Sequence, residues 1–320
     1  AAAERADLVD ILKDDRSPVT VADLAVQVAI TAALRVAGVE HSDRIVGEEG
    51  IDSLEDGGPR MVEQLIRLSG EALASAGIAG AAPGTEAELR ELLDAAGLDP
   101  EREGRDTFWC LDPIDGTKGF LRGGQFALAL ALINDGVVEL GCLGLSHWGI
   151  HRDPTGATVQ PPGSICVAVR GSGARGWAMG DEDNAIDLKV AEWKDDSILR
   201  TCESVESGHS SHDASTDIVR IFAGHEAVRL DSQTKYAVVA SGAADAYLRL
   251  PTRAGYVERI WDHAAGALVA TESGAIVTDI HGRELDFSRG RGLENNRGVI
   301  CTVPGAHQRI IERISEIGLG

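Results

Sequence analysis

Residues 126–133 form an almost unbroken apolar run, Asn134-Asp135-Gly136 follows with turn chemistry, and residues 137–145 return as a second apolar run. Asparagine, aspartate and glycine tolerate the left-handed backbone of a tight reversal, so this segment predicts a β-hairpin. The middle of the chain is thereby committed to an antiparallel pair of strands, and residues 164–170 read as another strand nearby. Upstream the period changes to that of helices. Residues 21–36 carry Leu24, Val28, Ala32 and Val36 on one face with Gly38 just past the end. Residues 61–76 and 85–96 read as two more helices, the latter with Thr85 and Glu88 spaced as a capping box and Leu89, Leu92 and Leu93 as its apolar face. Ile45-Val46 is a short strand-like run that leads into Glu48-Glu49.

After Asp181-Glu182-Asp183 the pattern alternates: residues 198–203, 227–230, 246–250 and 275–278 as strands, with 215–222, 235–244 and 262–273 as helices. Such alternation favours a sheet with crossover helices. The expectation is an α/β chain with an α+β lobe over residues 1–185 and an α/β lobe over residues 186–320.

Composition narrows what the chain can recognise. Thirty Lys plus Arg stand against 51 Asp plus Glu, a net charge of −21, which argues against nucleic acid or an anionic membrane as the main partner but leaves a small anionic substrate open. The 320 residues are 43% hydrophobic and 25% charged, a globular balance that can supply a core. Five widely spaced cysteines without a C-x-x-C pair read as free thiols of a reducing compartment, so an intracellular, cytoplasmic protein is expected, with an organelle left open. No apolar run reaches the ~18 residues of a membrane span. The chain starts without methionine, which leaves a processed leader open.

The stretch richest in chemistry is Trp109-Cys110-Leu111-Asp112-Pro113-Ile114-Asp115-Gly116-Thr117-Lys118-Gly119-Phe120. Pro113 stiffens a bend between two aspartates, and Gly116 lets the backbone approach a ligand closely. Two carboxylates and a nearby carbonyl oxygen suit Mg²⁺, a hard cation that keeps room for water and phosphate. The competing reading is an Asx-type turn in which both aspartates accept from local amides. Glu48-Glu49 alone reads as a solvated turn, Asp262 as a helix N-cap, and Asp23, three residues after Thr20, as half of a reciprocal cap.

Three strings together resemble the lithium-sensitive, magnesium-dependent phosphatase superfamily of inositol monophosphatase and fructose-1,6-bisphosphatase: Gly47-Glu48-Glu49, Asp112 through Thr117, and Trp261-Asp262-His263-Ala264-Ala265-Gly266. The longer strings Asp112 through Arg122, Gly208-His209-Ser210-Ser211-His212-Asp213, Leu230-Asp231-Ser232-Gln233 with Lys235-Tyr236, and Tyr247-Leu248-Arg249-Leu250-Pro251 resemble its 3′(2′),5′-bisphosphate nucleotidase branch. The likeness runs from about Ser17 to Thr302. It implies a layered α/β/α/β/α sandwich with the active site between the two lobes. It also implies a monomer that binds neither nucleic acid nor membrane and hydrolyses the 3′-phosphate of adenosine 3′,5′-bisphosphate, with 3′-phosphoadenylyl sulfate as a second substrate. By the same resemblance Glu48, Asp112, Asp115, Asp262 and the Ile114 carbonyl hold two or three Mg²⁺, with Li⁺ and Na⁺ as inhibitors. Asp23 and Thr117 activate water, and Thr117, His209, Ser232, Lys235, Arg249 and Asp262 contact the nucleotide. An inositol 1,4-bisphosphate phosphatase and a non-catalytic nucleotide sensor are the alternatives.

Several signals fall away. Gly171-Ser172-Gly173-Ala174-Arg175-Gly176 satisfies G-x-G-x-x-G but is followed by no helix, so it reads as a hairpin turn rather than a dinucleotide site. His209 and His212 lack further partners at zinc spacing. Trp109, Trp148, Trp177 and Trp193 read as packing residues, not a nucleobase platform. Residues 50–105 share no string with the family, which leaves any lid there undefined.

Overall fold

Two sheets organise the computed structural model, which describes residues 18–51, 54, 58–103, 106–150, 163–194, 196–205, 212–251, 253 and 255–319. The first contains β1 (Ile45–Gly47), β2 (Thr107–Asp115), β3 (Ala127–Asn134), β4 (Val137–Leu145), β5 (Ser164–Val169), β6 (Ala174–Ala178) and β7 (Ile186–Asp187), side by side in chain order. Only β1 and β2 pair in parallel there. The second contains β8 (Leu199–Ser204), β9 (His225–Leu230), β10 (Ala246–Arg249), β11 (Ile276–Thr278) and β12 (Val299–Thr302), in the order β11-β12-β10-β8-β9. Among the described residues the α-helices of six residues or more are α1 (Pro18–Val36), α2 (Gly58–Ser75), α3 (Glu86–Ala95), α4 (Thr117–Arg122), α5 (His212–Val219), α6 (Thr234–Ala240), α7 (Ala264–Glu272) and α8 (Pro304–Glu316).

The predicted hairpin forms through a two-residue turn, with Asp135 at φ 51° and Gly136 at φ 80°. Positive φ at both positions matches the twist of the strands it joins. Alternation along β3 then divides the layers. Ala127, Ala129, Ala131 and Ile133 face the central core, while Leu128, Leu130 and Leu132 face the opposite side with Ile30 and Leu34 of α1. The small inward residues let α7 come close: a Cβ at Gly141 would lie 2.6 Å from the Ala265 carbonyl oxygen. The seven residues of α6 and the first seven of α7 are all buried between the sheets. Their core joins Leu143 and Cys166 of the first sheet to Cys202, Tyr247 and Cys301 of the second. On the far side of the second sheet, α5 and α8 cover Leu199, Leu248 and Ile300 with Ile218, Ile310 and Ile314. The order of layers is α/β/α/β/α. The parallel pairs β8–β9 and β8–β10 carry the predicted crossovers, since α5 joins β8 to β9 and α6 joins β9 to β10.

Local signals behave as their chemistry demands. Thr85 Oγ1 accepts from Glu88 N at 3.2 Å and Glu88 Oε2 accepts from Thr85 N at 3.0 Å, a complete capping box. The glycine-rich string is the β5–β6 turn, where Gly171 and Gly173 donate their N–H groups to the Glu272 carboxylate at 2.9 and 2.8 Å. Neither β12 nor α8 was among the expected elements, although α8 carries Pro304 in its first turn and Ala306, Ile310 and Ile314 at helical spacing. The four residues of β12 are all buried, so its apolar run is too short to distinguish a strand from a helix fragment.

One buried carboxylate fastens the loop between β11 and β12. The Asp279 side chain is fully buried and accepts from His281 N, Arg283 N, Arg283 Nε and Arg283 Nη2 at 2.6–3.0 Å. Burial works to raise its pKa, but these donors prevail and hold it below the ordinary value of 3.8. The linked stability is therefore present above the unfolded pKa and is lost as pH falls through the folded one. Asp279→Asn is expected to cost roughly 2–4 kcal/mol at neutral pH in urea unfolding, with the gap to the parent narrowing as pH falls below the ordinary aspartate value. A gap independent of pH would sink this account.

Candidate active site

Strand β2 delivers its two aspartates to one place through a bulge. The β2–β3 register passes from Asp112↔Ala129 directly to Asp115↔Ala127, so Pro113 and Ile114 oppose a single residue of β3. A proline inside a central strand would leave a ladder acceptor unmatched; at a bulge that loss disappears. Gly116 then turns the chain at φ 88°, and a Cβ there would lie 2.9 Å from Ser232 Cβ. The missing side chain lets the Ser232-Gln233 segment close over the bulge. Gln233 N donates to Asp115 Oδ2, while the Gln233 side chain donates to Trp261 O at 2.8 Å and accepts from Gly266 N at 3.0 Å. Three distant segments meet at that glutamine.

Glu48 arrives from the other side of β2. It follows β1 directly, and its N–H donates to Leu111 O at 3.1 Å, which sets it beside Asp112. Asp262 ends a short 3₁₀ turn, Ile260–Asp262, ahead of α7. Arg291 joins these two approaches: its Nη2 donates to Gly47 O at 2.6 Å and its guanidinium lies 4.7 Å from the Trp261 ring centre. One side chain thus holds the residues preceding Glu48 and Asp262.

The result is a cavity of about 310 Å³ with an acidic side formed by Glu48, Asp112, Asp115 and Asp262. One carboxylate oxygen from each of Asp112, Asp115 and Asp262 lies within 4.8 Å of the other two. The electrostatics show what this convergence costs. Burial, then repulsion from Glu48, Asp115 and Asp262, drives the Asp112 carboxyl well above its ordinary range. Burial and Asp262 raise Glu48 to about 7 and Asp115 to about 6. Asp112 Oδ1 is buried and has no hydrogen-bond partner. An all-oxygen donor set with an unpartnered carboxylate oxygen and mutual repulsion fits a hard divalent cation. A second acidic group, Glu258, Asp262 and His263, is also closely spaced. There a cation is already in place, because Arg249 Nη2 lies 2.6 Å from Glu258 Oε2 and 3.5 Å from Asp262 Oδ2.

Thr117, Ser232, Lys235 and Arg249 line the same cavity. Lys235 is buried and donates to Leu230 O at 3.3 Å; burial brings its pKa down to about 8 although Asp115 works to raise it. Arg249 is 15% exposed, and its Nε is buried without a partner. Ser232 has φ 63°, an uncommon conformation for a residue with a side chain, and its Oγ accepts from Thr234 N at 3.3 Å.

Every predicted site residue except Asp23 and His209 lines this cavity; Ile114 does so beside its two aspartates. His209 lies outside the described residues. Asp23 is buried in α1 behind Glu48 and Glu49, and burial followed by those two charges raises it to about 9. Its Oδ1 has no partner. Thr117 Oγ1 donates to Ile114 O at 3.3 Å, so it does not hydrogen-bond to Asp23 in this structure.

Several local readings are corrected. Helix α1 starts at Pro18, which places Asp23 inside the helix rather than in a cap with Thr20. Asp262 caps nothing, since His263 occupies the N-cap of α7. The Asx-turn reading fails because Asp112 Oδ1 has no acceptor role and Asp115 receives an amide from 118 residues away. Sequence reasoning missed Glu258, Gln233 and Arg291. Gln233 sat in a motif string and Glu258 lies four residues before Asp262, but neither position has a local pattern that reveals its long-range partner.

Comparison with known proteins agrees with this geometry. Residues 2–319 match the inositol monophosphatase family. A 3′(2′),5′-bisphosphate nucleotidase of Schizosaccharomyces pombe is 36% identical over 318 residues, covering 96% of this chain and 86% of that protein. One from Oryza sativa is 38% identical over 296 residues, covering 91% and 81%. Among solved structures, CysQ from Bacteroides thetaiotaomicron, a bacterial member of the inositol monophosphatase family, superposes with a TM-score of 0.51 at 20% identity, covering 91% of this chain and 98% of that one.

Proposed function

The chain belongs to the inositol monophosphatase family of metal-dependent phosphatases, and we propose that it hydrolyses the 3′-phosphate of adenosine 3′,5′-bisphosphate to AMP, with 3′-phosphoadenylyl sulfate as a second substrate. The observation that carries this reading is one cavity lined both by an acidic cluster and by Lys235 and Arg249. A substrate with two phosphates matches both groups at once: one phosphate to be cleaved, one to be held.

Glu48, Asp112, Asp115, Asp262 and the Ile114 carbonyl would hold two or three Mg²⁺. Bound there, Mg²⁺ lowers the pKa of a water molecule and offsets charge on phosphate oxygens. Li⁺ and Na⁺ inhibit by acting on the same oxygen ligands. Thr117 Oγ1 orients the attacking water. Asp23 would take the proton only as a carboxylate, and cations held by Glu48 and its neighbours would offset the charges that, with burial, keep it protonated in their absence. The water oxygen bonds to phosphorus as the P–O3′ bond breaks, the 3′-oxygen takes a proton from solvent water, and inorganic phosphate and AMP are released; Lys235 and Arg249 hold the 5′-phosphate during the step. Ser232, His209 and Asp262 contact the rest of the nucleotide.

A phosphate-release assay comparing adenosine 3′,5′-bisphosphate with inositol 1,4-bisphosphate, with and without Mg²⁺, tests the reading. The nucleotide should be turned over faster, only with Mg²⁺. Arg249→Ala should raise its KM by about 10- to 100-fold, the value of one or two charge-assisted hydrogen bonds. Faster inositol bisphosphate turnover, or tight nucleotide binding without any turnover, would refute the assignment.

A further inference from the structure

We infer that Glu258 is a positioning residue that sets Arg249 for the phosphate that is not cleaved and draws it away from closer pairing with the metal-binding Asp262. This rests on the role proposed above for Arg249. Glu258 does not line the cavity, whereas Arg249 does. Any effect on substrate therefore passes through the arginine.

The contacts form one buried chain. Tyr236 OH and His263 Nδ1 are 2.8 Å apart, His263 Nε2 and Glu258 Oε2 are 3.2 Å apart, and the same Oε2 lies 2.6 Å from Arg249 Nη2. Tyr236 and His263 are fully buried, and Glu258 is 6% exposed. Burial would raise Glu258, but Arg249 and His263 hold it down at about 2, so it is an acceptor throughout the neutral range. An ionised Glu258 accepts from His263 Nε2, and His263 Nδ1 is hydrogen-bonded to the tyrosine hydroxyl. The glutamate backbone is fixed as well: its carbonyl accepts from Leu293 N at 2.8 Å, and Ile260 N donates to Arg291 O at 3.2 Å.

The arrangement resolves a conflict built into the cavity. Arg249 stands close to Asp262, and an unrestrained guanidinium would move onto that carboxylate and on toward Asp112 and Asp115. Glu258 engages Nη2 at 2.6 Å while Asp262 is left at 3.5 Å. The Nε hydrogen is buried and without a partner. A fixed planar fork recognises phosphate with little ordering cost, and that advantage depends on what holds the fork.

The experiment measures KM and kcat for adenosine 3′,5′-bisphosphate and for adenosine 3′-monophosphate, which lacks the held phosphate, in the parent, Glu258→Ala, Glu258→Gln and Arg249→Ala. Glu258→Ala should raise KM for the bisphosphate about tenfold with kcat within about threefold, leave the monophosphate KM unchanged, and raise the Mg²⁺ concentration for half-maximal rate as Arg249 relaxes onto Asp262. Glu258→Gln, which keeps an acceptor oxygen but loses the charge, should recover part of the KM. Adding Glu258→Ala to Arg249→Ala should raise KM no further. If Glu258→Ala does not fold, the glutamine variant carries the test through the same substrate comparison. Unchanged bisphosphate KM in both Glu258 variants, or an equal loss of kcat on both substrates, overturns the inference while the proposed reaction stands. An Arg249→Ala enzyme with parental bisphosphate KM overturns the Arg249 assignment itself.

Discussion

Asp112→Asn should lower phosphate release by on the order of 10³-fold or more and at the same time make the metal-free protein more stable. Asparagine has nearly the same shape but no charge. In the folded chain Asp112 is buried to 1% exposure beside Glu48, Asp115 and Asp262, with one oxygen left without a partner. Such a group destabilises the fold unless a cation joins it, and relieving the repulsion should gain roughly 1–3 kcal/mol. The two effects have opposite signs, which separates this account from simple damage. Mg²⁺ should raise the melting temperature of the parent protein because it binds the folded state, and should do so far less for the variant. A variant that is less stable than the parent without metal, or that responds equally to Mg²⁺, would contradict the reading of this cluster as a cation site.

Gly119→Ala should be the most damaging small substitution near the site. In an ordinary helix, alanine is favoured over glycine by about 1 kcal/mol. At Gly119, in α4, an added Cβ would fall well inside contact distance of the Gln125 carbonyl oxygen and 2.8 Å from Asp231 Oδ2. Backbone cannot yield as a flexible side chain can, so the clash outweighs propensity and a loss of roughly 1–3 kcal/mol or more is expected. Activity should fall too, because the displaced Asp231 is followed by Ser232 and Gln233, whose amide engages Asp115. Gly70→Ala in α2 is the control: its Cβ would meet only Ala82 Cβ, at 3.7 Å. That variant should gain up to about 1 kcal/mol in urea unfolding. Equal behaviour of the two variants would remove the packing argument.

How far the site could be read in advance depends on how far each interaction reaches along the chain. The Asp135-Gly136 turn and the Thr85–Glu88 box involve residues at most three apart, and their chemistry is written in adjacent letters. Asp112 and Asp115 were visible as candidates, yet the sequence was equally compatible with a local Asx turn. The choice fell to a β-bulge and to an amide 118 residues away. Residues 299–302 were opaque because their strand character comes from β10 and β11 on either side, not from their own short apolar run.

Residue types, hairpin, the Thr85–Glu88 capping box and the alternation of the second half belong to the sequence alone, as does the excess of 21 negative charges. Tertiary structure decided where the charge that matters is gathered. It set Glu48 beside Asp112 through the parallel β1–β2 pair and brought Asp262 in on the turn before α7. It also gave Arg249 a buried glutamate as its partner. The physical reason is range: a cap or tight turn is satisfied within one or two turns of chain, whereas carboxylates far apart in sequence converge only when strand register and core packing offset their repulsion.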